Sequence, residues 1–252
     1  MCVYHKGMMI MTGNFLKQVI LRLDFAGEIN RSQQILDEIK RAVSDVLPEF
    51  ETRDIVSVEM TIDQTQKTTK EKRSKLFLLC NNATNNSLIL EPNAIIFDLK
   101  KYNNYEELKG LVHKVIPNLG EQSPSIKVSK MGLRYINQII IDEGNPFDWT
   151  ELIKEPLICS LDFIEDRNEL SRSVGVIEIN KSDYYVKFQY GWFNSEFPNP
   201  IAKKEFLLDY DCYSKNETDI SSIFSQIEIL HKEIKELFER STYIENLQTH
   251  GR

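Results

Sequence analysis

The chain has 252 residues, 41% hydrophobic and 27% charged, with 8 prolines and 10 glycines. That composition excludes a disordered or fibrous chain and supplies enough apolar mass for one large domain or two small ones. A formal net charge of -7 argues against a broad nucleic-acid footprint, because duplex binders carry a clear positive excess.

The first residues, "MCVYHKGMMIMTGNF", hold no clean apolar stretch of signal-peptide length, and four methionines among the first eleven leave the start codon open. "QVILRLDFAGEI" alternates, with Val19, Leu21, Leu23 and Phe25 on one face and Arg22 and Asp24 on the other, which predicts a half-buried strand. Ile35, Ile39, Ala42, Val43, Val46 and Leu47 then recur at helical spacing, with Asn30 or Ser32 to cap the start and Pro48 after the end. Period two returns with Val56, Val58, Met60 and Ile62. From Gln64 to Lys75 there is no periodic apolar residue, and Lys67, Lys70, Lys72, Arg73 and Lys75 stand against Glu71 alone. This segment is expected to be a loop joining two strands.

"LFLLCNNATNNSLIL" reads as a hairpin around an Asn-rich turn. "NAIIFDL" adds a strand, and "NYEELKGLVHKVI" a helix capped by Asn104 and Glu107. Its apolar face is Leu108, Leu111, Val112, Val115 and Ile116, and Pro117 is expected to stop it. The strand "SKMGLRYINQIIIDEG" follows, and "GNPFDW" closes a first half spanning 14–145. The second half, 146–252, offers four strands, "LICSLDFIE", "SVGVIEIN", "YYVKFQYGWF" and "KEFLLDYDCY", with "NKSD" as a tight turn. One long helix, from Thr218 or Asp219 to Leu247, carries the stripe Ile220, Ile223, Phe224, Ile227, Leu230, Ile234, Leu237 and Phe238. Runs of strands with few helices between them mean an α+β fold. The expectation is a mostly antiparallel sheet, two shorter helices and one long C-terminal helix packed on it. The two halves are expected to form one compact unit, and their parallel order of strands and helix raises a loose internal duplication that no self-similarity of sequence supports.

Catalytic signatures are scarce. No GxSxG, GxxxxGK[ST] or GxGxxG occurs, and His5, His113, His231 and His250 show no orienting partner for a general base. Cys2, Cys80, Cys159 and Cys212 form no CxxC pair and read as reduced thiols, with Cys80 and Cys159 in the core. No metal or cofactor is expected, and no membrane span, since the longest apolar runs are strand-sized; a cytoplasmic protein fits these features. Asp209 and Asp211 share one face of a strand. They read as a solvent face, a Mg²⁺ or Ca²⁺ site, or a partner for Arg134. Lys67, Lys70, Lys72, Arg73 and Lys75 read as a mobile hairpin tip or as a finger touching phosphates. The aromatic run "DYYVKFQYGWF" reads as core through Tyr184, Val186, Phe188 and Tyr190, or as a stacking platform.

The sharpest feature is the strand around Arg134. Leu133, Tyr135, Asn137, Ile139 and Ile141 point one way; Arg134, Ile136, Gln138 and Ile140 point the other. Two apolar faces suggest a strand covered on both sides. A buried arginine needs a carboxylate or a ligand. Arg134, Tyr135, Asn137, Asp209 and Asp211 are therefore a candidate polar seam joining the halves, or a pocket for a small anion.

"MGLRYINQI", "LLDYDCY" and "IEILHKEIKELFERSTYIENL" together resemble a sporadically distributed family of uncharacterised bacterial proteins of about this length, from Val19 to Leu247. The marks are Leu133, Arg134, Tyr135, Asn137, Asp209, Asp211, Phe238, Glu239 and Thr242. The resemblance implies no activity; its patchy distribution implies mobile-element or defence-associated genes. Three functions stay open: a non-enzymatic binding or scaffold subunit acting through a protein partner or as a homo-oligomer, a nucleic-acid-binding or processing protein using the basic segment, and a small-molecule or nucleotide sensor using the Arg134 strand.

Overall fold

In the first strand, β1 (Leu16–Phe25), Val19, Leu21, Leu23 and Phe25 are buried while Arg22 stays exposed. The computed structural model describes residues 15–62, 67–120 and 126–250. Helix α1 (Gln33–Val43) follows, then four strands, β2 (Glu49–Ile62), β3 (Lys67–Asn81), β4 (Asn86–Leu90) and β5 (Ala94–Leu99), and helix α2 (Tyr105–Gly120). The second run begins with β6 (Lys127–Ile141) and continues through β7 (Ser173–Asn180), β8 (Tyr184–Trp192), β9 (Lys204–Ser214), the short β10 (Thr218–Asp219), α3 (Ile223–Ser241) and α4 (Ile244–His250). The fold is α+β, with a large antiparallel sheet and a long helix near the C-terminus.

The sheet has ten strands in the order β2-β3-β4-β5-β1-β6-β9-β8-β7, with β10 pairing β6 off that path. The order has a pattern of its own. β1 opens the first run and pairs with β5, the last strand of its meander; β6 opens the second run and pairs with β9. The two opening strands pair antiparallel with each other at the centre, from Leu16 opposite Asn137 to Phe25 opposite Val128. The sheet is therefore continuous through both halves.

Alternate residues of the central strands pack with α1, α2 and α3 in one core. Leu21, Phe97, Leu133, Tyr135, Leu208 and Tyr210 on the strands meet Ile39, Val112, Ile227 and Ile234 on the helices. Among the described residues, the helices cover one face of the sheet only. On the other face Ile20, Arg134, Ile136, Gln138 and Asp211 are half-buried among their neighbours on adjacent strands. β6 is thus central in the sheet, but it is not covered by helices on both sides. Its second apolar face is sheltered by cross-strand side chains instead.

Several local expectations change. Residues 67–75 are strand, not loop: β2 and β3 pair from Glu49 opposite Cys80 to Ile62 opposite Lys67, and β4 joins β3 only from Phe77. The rest is a two-stranded ribbon, in which β2 and β3 pair with each other and with no other described strand. "LICSLDFIE" is not a strand but 3₁₀ turns at Glu155–Leu157 and Cys159–Phe163. There Leu161 is buried while Phe163 is 89% exposed, and Cys159 is exposed rather than core. α2 runs through Pro117 to Gly120, its last turn held by buried Leu119. The C-terminal helix breaks at Thr242, which is extended (φ -131°, ψ 162°) and bridges Ile153, while Lys154 N–H donates to the Ser241 carbonyl. Thr218 and Asp219 belong to β10, not to the helix.

Other expectations hold. Asn104 Oδ1 accepts the Glu107 N–H at 3.1 Å, and Glu107 reaches back to Asn103 rather than to Asn104. The Asn-rich turn is a β3–β4 hairpin with Asn85 at φ 55°, the left-handed conformation asparagine tolerates.

Candidate functional site: the uncovered sheet face

The pleat separates the singled-out residues into two groups. Arg134, Asp209 and Asp211 lie on the uncovered face; Tyr135 and Asn137 lie on the helix-covered face. Arg134 stands directly opposite Asp211 in register, yet its guanidinium reaches diagonally to Asp209. Nε donates to Oδ1 at 2.8 Å and an Nη to Oδ2 at 2.6 Å, a bidentate pair. The Asp209 side chain is 4% exposed and that of Arg134 37%. Gln189 Nε2 donates a further bond to Asp209 at 3.3 Å. Asp209 is therefore spent on structure, and a small anion at Arg134 would have to displace a carboxylate.

Asp211 takes no share in that pair. Burial pushes its carboxyl above the usual range, against the pull of Arg134, Lys130 and Lys187. It sits in a row of alternating charge that the registers align across the sheet. Asp98 on β5 and Arg134 on β6 flank Ile20 of β1; Asp211 on β9, Lys187 on β8 and Glu178 on β7 continue the row. The next row places Arg22, Gly132, Tyr213 and Tyr185 side by side. A hollow of about 370 Å³ opens there, lined by Ile20, Arg22, Lys130, Gly132, Arg134 and Asp211 among others. Gly132 leaves its floor bare: a Cβ there would meet only Tyr213 Cβ at 3.7 Å and atoms farther off. Lys130 lies over the Tyr213 ring at 4.5 Å, and Tyr213 packs against Tyr185. Chemically this surface offers charges of both signs on a stiff ladder, with no aimed nucleophile or base. Among the described residues no three of His, Cys, Asp and Glu converge as metal ligands would.

Under the covered face lies a polar cluster that the sequence did not reveal. The Tyr135 hydroxyl is 2.8 Å from the Tyr102 hydroxyl and 3.1 Å from His231 Nδ1. His231 stacks on Tyr105 at 3.9 Å with the rings 4° apart, and the Tyr105 hydroxyl donates to Glu228. His231 thus has the orienting partners it seemed to lack. Burial lowers its pKa to about 4 and raises those of Tyr102, Tyr105 and Tyr135. A neutral imidazole among protonated phenols suits a packed joint between α2, α3 and β6. The only signal in the sequence was Tyr135 itself; its partners come from three other segments. Asn137 is likewise structural, its Nδ2 donating to the Leu208 carbonyl at 3.2 Å.

The basic residues do not join this site. All lie on β3, where Asp54 stands opposite Lys75 and Glu59 opposite Lys70. Lys72 Nζ contacts Glu28 at 2.6 Å. Lys67 and Lys70 are placed by backbone register alone. The aromatic run is core on one side: Tyr210 stacks on Phe188 at 4.6 Å, and Trp192 is buried.

No family model matches this chain, and no curated protein matches it. No helix among the described residues is long and apolar enough to cross a membrane.

Proposed function

We propose that the protein is a non-enzymatic binding or scaffold subunit that docks a protein partner on the uncovered face of its sheet. The supporting observation is the charge row Asp98, Arg134, Asp211, Lys187 and Glu178 on a face without helices. Alternating signs select for a surface of complementary pattern and repel a wrong one. A polyanion would meet three carboxylates in that row, so a nucleic acid is the poorer occupant. The Arg134–Asp209 pair holds the strip rigid, which lowers the ordering cost of binding. The resemblance to the sporadic family implies a bacterial setting, and the acidic composition fits a cytoplasmic one.

Cross-linking in the native host tests this. Wild type should capture a protein that Lys187→Glu, with an unchanged circular dichroism spectrum, loses. Capture that ignores the reversal would count against the face. A low-salt electrophoretic shift with DNA or RNA, abolished by Arg73→Glu with Lys75→Glu, would favour the basic strand instead.

A further inference from the structure

The two ends of the sheet are built differently. β2 and β7 each pair with one neighbour and leave an edge. The first six residues of β2, at the end where the sheet continues beyond β3 into β4, carry Glu49, Glu51, Arg53 and Asp54, the kind of charge that keeps an edge from pairing with another chain; the rest of β2, 55–62, carries Glu59 alone and belongs to the two-stranded ribbon. β7, "SVGVIEIN", has one charge, no proline and no lysine in eight residues. Val174, Val176 and Ile177 are 38%, 53% and 39% exposed. Among the described residues no segment lies along it.

The hairpin fixes which backbone groups are free. Lys181 N–H donates to the Tyr184 carbonyl at 3.0 Å, and the register runs back from Asn180 opposite Tyr185. Hydrogen-bonded pairs alternate from that point. The odd residues of β7 therefore bond to β8, while Val174, Val176, Glu178 and Asn180 turn their N–H and C=O groups outward.

We propose that β7 is a dimerisation edge and that its occupant is β7 of a second copy, joining two sheets into one. The strand is complementary to itself. An antiparallel pairing that keeps each face on its own side must place the two-fold axis on Val176 or on Ile177. On Val176, Val174 faces Glu178 of the other copy and the two Val176 residues meet. On Ile177, Val176 faces Glu178 and the two Ile177 residues meet. Either way outward groups meet outward groups, Glu178 never meets its counterpart, and the helices of both copies share one side. This dimer does not depend on the docking reading of the uncovered face.

Light scattering of the full chain tests it. The wild type should have twice the 29.4 kDa chain mass. Val176→Lys should have the single-chain mass, and Val56→Lys on the opposite edge should remain a dimer. Hydrogen exchange of the wild type adds a readout that needs no variant: the Val176 and Glu178 amides should exchange slowly although they face away from β8. A monomeric wild type, fast exchange at those amides, or open-ended assembly overturns the dimer. None of these results bears on the capture lost in Lys187→Glu, so the two readings fail separately.

Discussion

At the scale of single residues, the two acids of β9 should respond in opposite ways. Asp209→Ala leaves the Arg134 guanidinium without its bidentate partner and should cost about 1–3 kcal/mol of unfolding free energy. Asp211→Asn removes a charge that burial already disfavours, so denaturation should show no loss or a small gain. The sequence showed that Arg134 needed a carboxylate or a ligand, but neither which of these nor which carboxylate. The choice is made by the register of β6 on β9 and by a diagonal reach across the pleat. Asn137→Ile should cost about 1–3 kcal/mol, because the Leu208 carbonyl loses a buried donor. Tyr210→Phe should leave the melting temperature unchanged or raise it. Its hydroxyl is buried and makes no hydrogen bond of good geometry among the described residues, although the Ser241 hydroxyl, which donates to the Leu237 carbonyl, lies close by. A lowered melting temperature would mean that the phenol is bonded after all.

At the scale of elements, α3 is tied to the sheet through His231, and that tie has a pH dependence. Folded His231 titrates near 4, whereas in the unfolded chain an imidazole titrates near 6.5. Between those values the unfolded chain binds the proton and the folded one does not. Stability is therefore full above about pH 6.5 and falls on acidification toward 4, by up to about 3 kcal/mol from this group. Denaturant titrations at both pH values should show this loss in wild type, with that share absent in His231→Phe. A variant that loses as much as wild type would assign the loss to other groups. The elements that defied the sequence failed for physical reasons. β3 has no apolar period over 67–75, and its ladder there rests on cross-strand partners from β2 alone among the described strands. "LICSLDFIE" is apolar without a period, and its turns bury Leu161 alone among the 3₁₀ residues. The helix break at Thr242 is imposed by Ile153, about ninety positions earlier, which a helical stripe cannot announce.

At the scale of the molecule, the strand runs foretold the α+β class because antiparallel meanders need only short turns. They did not foretell the strand order. Nothing local distinguishes β1 and β6 as the pair that meets at the centre; that depends on how two meanders close on their own opening strands. Nine residue pairs join β1 to β6, and one core runs beneath both halves. Urea unfolding followed by far-ultraviolet circular dichroism should thus give one transition for the whole chain. Two resolved transitions would show that the halves are separate cooperative units.

The loop after β6 carries one more consequence. The Pro146 carbonyl accepts the indole N–H of Trp149 at 2.8 Å and that of Trp192 at 3.2 Å. The chain has two tryptophans, and both rings lie against Phe206. Intrinsic fluorescence therefore reports a single place, where the loop, β8 and β9 meet. Both fluorophores should emit from a dry environment and shift to the red together, making the protein its own optical gauge of whether that corner is closed.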